Sequence, residues 1–487
     1  MKAIKIISLI LFAVIVTVPL CFFNTQSNAA SEIDNRMLTE NPFTLEGDLT
    51  DNLQNYVNDR IGFRDEMITA YTILNDRVFH KMVHPSYTYG KNGYVFGAGI
   101  TTKNTFSDYH IAFADMIAQI QEYCNDRGVP FLFVFNPAKP AVYQDKIANG
   151  INYNREWVDL FFKELDKRSI YYLDNTESLS QLRKEGIEGF NTMYDANHWN
   201  DLGAFYGTHS MLERLSKVCD NVHINSLDEF NVSEILQTSL LVSKFPIHEY
   251  VPKLDLQISA TRLRDNYYSE IKLNESYKTF GYFKNNSEAV RDTPKALVFQ
   301  GSYMNSYGAK YLINAFKEYI YVHDYQNVLD FAYYYNIFQP DCVIFEVAEY
   351  TFLDKYFSLK GMQEFKLNPV LSTFEEVMNT VPVDYSNSIS IEEGESLTKI
   401  IWHTDQTYPY VWLELDSIYD MQKNDEGYET TIETTQYEES NSSIIIHVYR
   451  DDGLYPYETM PCREKSIQHH LTLSHLLRNL KIMLRKG

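Results

Sequence analysis

Cysteine is scarce in this chain: five residues in 487, at positions 21, 124, 219, 342 and 462. They are widely spaced, with no CxxC pair and no zinc-ligand spacing, so neither a dense disulfide framework nor a structural zinc site is on offer. The four beyond residue 30 are expected to be buried thiols, with room for one disulfide. Signatures for metals and nucleotides are missing too. No HExxH, phosphate-binding P-loop or dinucleotide fingerprint occurs, and the neighbouring His469 and His470 have no ligand partner at metal spacing. The expectation is no metal and no cofactor. Positive charge is in deficit: 43 Lys and Arg against 65 Asp and Glu leave a net charge of −22. A surface of that sign repels phosphate backbones, which sets nucleic acid aside as a partner.

What the chain does hold is apolar and aromatic. Hydrophobic residues make up 45% of its 487 positions, ample for real cores and for two or three domains. The 38 Tyr and 29 Phe suit cores and sheet faces, with sugar-stacking surfaces as the alternative use. At the N-terminus Lys2 and Lys5 precede an uncharged stretch from Ile6 to Phe23, and the following residues end in the small pair Ala29 and Ala30. Residues 1–30 therefore read as a signal peptide or an N-terminal membrane anchor, the stretch being close to the ~20 residues a bilayer requires. Either way the protein is expected outside the cytoplasm, secreted or anchored to the cell membrane.

Leu53, Tyr56, Val57 and Ile61 share one helical face, and Ile68, Tyr71, Leu74 and Val78 continue it, making 31–90 a helical lead-in. Across 91–384, apolar runs at 94–96, 131–135, 170–173, 296–299 and 342–347 alternate with helical patterns at 111–125, 156–168, 202–218 and 309–316. Strands alternating with helices imply a mostly parallel sheet covered on both faces, with reactive groups at the carboxyl ends of its strands. Residues 220–290 are polar and irregular, with strand-like pieces at 255–259 and 277–283, and read as an insertion. In 385–462, strand-like segments at 388–391, 399–402, 411–415, 430–434 and 444–448 alternate with polar turns, the pattern of a small antiparallel β-domain. Its Trp402, Tyr408, Tyr410 and Trp412 could pack a core or form a platform for sugar rings. Residues 463–487 interleave Ile467, Leu471, Leu477, Leu480 and Leu484 with Arg478, Lys481, Arg485 and Lys486, an amphipathic helix suited to docking on the protein or a membrane surface.

The chemistry concentrates in two segments. In ALVFQGSYMNSYGAKYL, Ser302 follows a buried strand and a turn at Gly301 and precedes a helix; in MYDANHWND, Asp195 and His198 stand three residues apart. A serine hydroxyl is a weak nucleophile until a base takes its proton, and the base works best when a carboxylate fixes its tautomer. Taken singly, Ser302 reads as a cap or turn residue, Asp195 as a turn carboxylate and His198 as a loop histidine. Together they supply nucleophile, base and orienting acid, and a helix N-terminus that favours an oxyanion.

YDANHWND resembles the Asp-His-Trp signature of SGNH-hydrolase-like proteins of the alginate O-acetylation type and of the related family named for its DHHW motif. Further segments match in order: NRMLTENP with YVNDRIGFRD, YGKNGYVFG, FNPAKPAVYQDKI and PDCVIFEVAEYTF, a span of roughly residues 34 to 360. The resemblance implies an α/β/α three-layer SGNH-like sandwich with a mostly parallel sheet, in which the Asp and His precede the Ser. It implies an exported O-acetyltransferase or acetylesterase acting on a cell-surface polysaccharide, with a membrane-bound O-acyltransferase as partner. Ser302 is similar to the family nucleophile, His198 to the base and Asp195 to its partner; Gly301, Asn305, Lys139 and Tyr143 become candidates for oxyanion or substrate binding. Three positions depart from the pattern: Gly301 stands where Asp is usual, Tyr350 follows Glu349 where Arg is usual, and Asp195 is three residues before the histidine rather than two. A polysaccharide-binding or assembly protein that kept the fold and lost turnover is the alternative these departures leave open.

Overall fold

The computed structural model describes residues 2–461 except 28, 32, 34–35, 46, 85, 102–103, 242, 263–266, 375–387, 441 and 451–452. Cys462 and the amphipathic segment 463–487 lie outside the described residues. The chain divides into two compact units: residues 1–263, 274–329 and 340–365 form the first, and 264–273, 330–339 and 366–487 form the second.

The first unit begins with α1 (Lys2–Cys21), a helix long and apolar enough to cross a membrane, which fits a signal or an anchor. Two short strands, β1 (Ala30–Ser31) and β2 (Arg36–Met37), lead to α2 (Leu49–Arg60) and α3 (Arg64–Phe79). Asp48 caps α2 by accepting from the backbone N–H groups of Thr50 and Asp51 at 2.8 and 3.1 Å. The two helices lie where the apolar period predicts, but Leu53, Val57, Tyr71, Leu74 and Val78 on their shared stripe point to solvent rather than into a core.

A hairpin of β3 (Tyr87–Tyr89) and β4 (Val95–Gly97) precedes α4 (Asp108–Asp126), β5 (Phe131–Asn136), the short α5 (Lys139–Val142), α6 (Glu156–Lys167), β6 (Tyr172–Asp174), α7 (Asn175–Lys184) and α8 (Asp201–Leu215). Next come a long hairpin, β7 (Phe230–Ser239) with β8 (Pro246–Leu256), then β9 (Ala260–Arg262). The second unit's α9 (Tyr267–Glu270) is followed by β10 (Phe280–Asn285), β11 (Lys295–Gln300), α10 (Ala309–Ala315) and β12 (Glu318–His323), and the second unit's α11 (Phe331–Phe338) by β13 (Cys342–Ala348). Seven of these strands make one sheet in the order β6-β5-β13-β11-β12-β10-β9. The first five are mutually parallel and β10 pairs antiparallel with both β12 and β9, so the sheet is mixed.

The central strands are continuous apolar runs because both of their faces are covered. Leu132, Val134, Ala296, Val298 and Ile344 share one cluster with Phe205 and Leu212 of α8 and Tyr311 and Leu312 of α10. From the alternate positions, Phe133 meets the rings of Phe113 on α4 and Phe161 on α6 at 6.5 and 6.2 Å, and Phe345 meets Phe113 at 6.0 Å. Residues 220–290 are not an insertion throughout: β9 and β10 close one edge of the main sheet, and the strand-like piece at 255–259 is only the end of β8. Cys124, Cys219 and Cys342 are buried free thiols.

In the second unit, β14 (Ile389–Glu393), β15 (Leu397–His403), β16 (Tyr410–Glu414), β17 (Ile418–Asp420), β18 (Gln422–Lys423), β19 (Gly427–Glu433), β20 (Ser443–Arg450) and β21 (Gly453–Pro461) form two four-stranded antiparallel sheets. Ile400, Trp402, Val411, Leu413, Ile432, Ile446 and Val448 fill the core of this unit. Trp402 and Trp412 are both buried, which withdraws two of the four aromatics from a surface platform.

Candidate active site

Because β5, β13 and β11 run parallel, their carboxyl ends open onto one rim of the sheet. Strand β11 ends at Gln300; Gly301 turns the chain, and Ser302 opens the helical segment that passes through Met304–Gly308 into α10. Strand β13 delivers Glu349 and Tyr350 to the same rim. The third contribution is the loop between α7 and α8, which carries Asp195 and His198.

The structure brings Ser302, His198 and Asp195 together across 104 residues of sequence. His198 Nε2 lies 3.0 Å from Ser302 Oγ, and His198 Nδ1 lies 2.8 Å from Asp195 Oδ1. Asp195 adopts φ +49°, a left-handed conformation that an aspartate tolerates, and its Oδ1 also accepts from the His198 backbone N–H at 3.2 Å. That turn folds the carboxylate back under the ring. Burial works to raise the Asp195 pKa, but the charge and hydrogen bonds of His198, with the backbone N–H groups of His198 and Asn197, outweigh it and hold the carboxyl below its ordinary value. An ionised Asp195 fixes the proton of a neutral His198 on Nδ1, leaving Nε2 to accept from the serine.

Ser302 Oγ has a second partner that the sequence does not reveal: the Tyr350 hydroxyl, 2.6 Å away. Burial drives the Tyr350 pKa well above that of an ordinary phenol, so this hydroxyl keeps its proton. With the serine proton directed at His198 Nε2, Oγ is left to accept from Tyr350. The only sequence signal for this contact was negative, a Tyr standing at a position where the resembling family usually has Arg.

The loop bearing His198 is held from several sides. Trp199 Nε1 donates to the Tyr303 carbonyl at 3.0 Å, and the Tyr303 hydroxyl lies 2.8 Å from Pro137 O and 2.9 Å from Asn197 O. Trp199 presses so closely on α8 that a Cβ at position 207 would come within 2.4 Å of its ring, which is why Gly207 stands there. On the other side Glu249, from hairpin strand β8, accepts from the backbone N–H groups of Thr192, Met193 and Tyr194 at 2.6, 3.0 and 2.6 Å. A carboxylate taking three consecutive amides clamps the chain immediately before Asp195. Nothing in the polar run around 249 signalled this, because the partner is a backbone and leaves no residue pattern.

Of the four other candidates, Gly301, Lys139 and Tyr143 differ from expectation. Gly301 gives its N–H to Glu346 Oε2 at 2.9 Å, so it has none to offer an oxyanion. A Cβ at 301 would lie 3.4 Å from Asp324 Oδ1, so an aspartate there would add a carboxyl beside Asp324. Asn305 Oδ1 accepts from Gln300 at 2.7 Å, leaving Nδ2 as its side-chain donor on the half-buried turn after Ser302. Lys139 is fully buried, and its Nζ donates to the carbonyls of Val95 and Thr192 at 2.6 and 3.0 Å. Burial brings its pKa down to about 7. Tyr143 is also fully buried and bonds Glu188. Both tie loops together inside the unit, and neither is exposed to touch a substrate. Among the described residues no group of three or more His, Cys, Asp or Glu is gathered as a metal site.

Beneath the rim, burial and the neighbouring Asp324 push Glu346 from an ordinary 4.5 up to about 8. The folded state therefore binds a proton that the unfolded chain releases above pH 4.5, so the contribution of Glu346 to stability is greatest below that pH, falls as pH rises to about 8, and is flat beyond. The expected loss from this group is on the order of a few kcal/mol. Urea titrations from pH 4.5 to 9 are expected to show a steeper decline in the native protein than in Glu346→Gln; superimposable pH profiles would remove the assignment.

No protein-family model matches the chain, and no curated protein does. Solved structures similar to it include Bacillus cereus PatB1 with a sulfonyl adduct, 17% identical, covering 57% of this chain and 99% of that one, with a TM-score of 0.43. The O-acetyltransferase domain of Pseudomonas putida AlgJ is 14% identical over 60% of this chain and 96% of that one, at 0.39. A DHHW family protein from Eubacterium siraeum is 13% identical over 59% and 98%, at 0.41. These include the protein types that the Asp-His-Trp segment resembles. At such identities and scores, the functional reading rests on the geometry of this chain's own residues.

Proposed function

We propose that the chain is an exported O-acetyltransferase or acetylesterase that acts on a cell-surface polysaccharide through Ser302, His198 and Asp195, on a three-layer SGNH-like scaffold. The observation that carries this reading is the continuous relay from Ser302 Oγ to His198 Nε2 at 3.0 Å and from Nδ1 to Asp195 Oδ1 at 2.8 Å. Ser302 Oγ attacks the acyl carbonyl carbon and its proton passes to His198 Nε2, while Asp195 stabilises the imidazolium. As the tetrahedral intermediate collapses, the bond from carbonyl carbon to donor oxygen breaks and His198 returns the proton to the leaving oxygen. A polysaccharide hydroxyl, or water, then attacks the acyl-serine, loses its proton to His198 and releases Ser302, which takes that proton back. Positioning the sugar hydroxyl against His198 is what favours transfer over hydrolysis. The acetyl donor on this reading is supplied by a membrane-bound O-acyltransferase.

The Ser302 backbone N–H, Asn305 Nδ2 and the Tyr350 hydroxyl are the donors proposed for the developing oxyanion. Incubating the full chain with p-nitrophenyl acetate and a de-O-acetylated polysaccharide, then quenching, should yield an acetyl group on the peptide bearing Ser302 and acetyl ester on the sugar. Tyr350→Phe is expected to slow acylation by roughly 100-fold, the effect of losing one oxyanion donor. Absence of any acetyl-serine at 302 counts against the enzyme; an unchanged rate in Tyr350→Phe removes that tyrosine alone.

A further inference from the structure

We propose that α1 remains on the mature protein as a membrane anchor, and that the exposed apolar stripe of α2 and α3 lies in the lipid interface beside it. The proposal is independent of the acyl chemistry. It begins where α1 ends. No linker separates the helix from the folded chain: Gly62 N donates to Pro19 O at 3.0 Å and Asn24 N to Arg60 O at 2.8 Å. Phe22 sits so close to Gly62 that a Cβ there would come within 2.6 Å of it, and the rings of Phe22 and Phe63 are 4.9 Å apart. Phe23 lies 5.6 Å from the ring of Tyr56.

The junction is locked by Arg60, which is only 3% exposed although guanidinium groups are rarely buried. Its Nη1 donates to the carbonyls of Asn24 and Gln26 at 3.2 and 2.6 Å, and its Nε to that of Thr39 at 2.8 Å. Cleavage at Ala29 or Ala30 would remove two of these three acceptors. The α2–α3 corner is therefore built around a segment that signal processing would discard. An uncleaved α1 explains why a buried cation waits for it.

If α1 crosses the bilayer, the corner stapled to its end must meet the membrane surface. Facing outward there are Phe63, Met67, Tyr71, Leu74 and Val78, spaced by four, four, three and four residues along one face of α3, with Tyr71, Leu74 and Val78 60%, 58% and 57% exposed. Leu49, Leu53 and Val57 of α2 are exposed at the same period. Hydrocarbon side chains with a phenol among them suit the boundary between headgroups and acyl chains. The occupant of this face is thus the bilayer that α1 already enters, rather than a second protein that would have to arrive.

The test uses the full chain, exported by its host, with its N-terminal mass measured and the protein reconstituted in phosphatidylethanolamine–phosphatidylglycerol vesicles carrying a diazirine phospholipid. Lipid adducts are expected on α1 and on the Met67–Val78 peptide, and not on the exposed hairpin residues Val232, Ile235 and Leu236. Leu74→Glu with Val78→Glu should cut the α3 adducts about tenfold while those on α1 persist. A mature chain beginning after residue 29 or 30 overturns the proposal. So do adducts confined to α1, or hairpin labelling equal to that of α3.

Discussion

Ser302→Ala and His198→Ala are each expected to lower kcat for ester cleavage by about 10⁴-fold or more, and the double variant to be no slower than either single one. The reason is that the two act as one device. Oγ has no nucleophilic strength until Nε2 accepts its proton, and Nε2 has nothing to do once Oγ is gone. The distance of 3.0 Å makes that transfer direct, without an intervening water. Both substitutions shrink side chains at the rim rather than in the core, so melting temperatures should stay close to that of the native protein. A serine-directed sulfonyl probe provides the companion readout, with labelling present in the native chain and absent in both variants. A loss of only a few-fold in kcat, with the fold intact, would leave the polysaccharide-binding reading in possession of the site.

Asp195→Asn carries the second largest expected effect, a fall in kcat of about 10³- to 10⁴-fold. Asn keeps the shape and accepts φ +49° as readily as Asp, so the turn survives. What changes is the charge. Asp195 Oδ1 holds both the His198 backbone N–H and Nδ1, while Oδ2 accepts from the Tyr307 hydroxyl at 3.3 Å. Where the amide nitrogen takes the Oδ1 position, His198 is pressed toward the tautomer with its proton on Nε2, facing the serine with a donor where a base is needed. The imidazolium formed during acylation also loses its buried counter-charge. Kinetics of Asp195→Asn beside its thermal unfolding separate these causes from misfolding: a stable variant within tenfold of native activity would show that the carboxylate is a turn residue and no more.

The parts of this site that sequence exposes are those encoded locally. Asp195 and His198 are one turn apart, so their pairing is visible in MYDANHWND. Ser302 is visible because an apolar run, a glycine and a helical period meet at one point. The strands at 131–136 and 342–348 are equally plain, since a strand buried on both faces has no polar alternation to confuse it. Less plain was β12, whose EYIYVH is short and follows directly on a helix. The edge strands β9 and β10 are hard to tell from the polar stretch around them, because one is three residues long and they pair antiparallel, outside the alternation of strand and long helix that marks the rest of the sheet. Lys139 and Tyr143 look like site residues in one dimension, where a polar group next to a site and a polar group inside it are alike; burial distinguishes them.

Composition and pattern by themselves determined the class of protein: a folded α/β chain with an apolar N-terminal helix, a β-rich second unit and one cluster of nucleophile, base and acid. These follow from short-range rules, the period of apolar residues and the reach of a side chain along its own turn. The tertiary structure alone decided that Ser302 meets His198, that Tyr350 sits on the serine, that Glu249 reaches from a distant hairpin to hold the loop, and that the stripe on α3 has no core to face. Such contacts depend on how a sheet orders its strands, and strand order is set by the packing of the whole chain, which no single segment records.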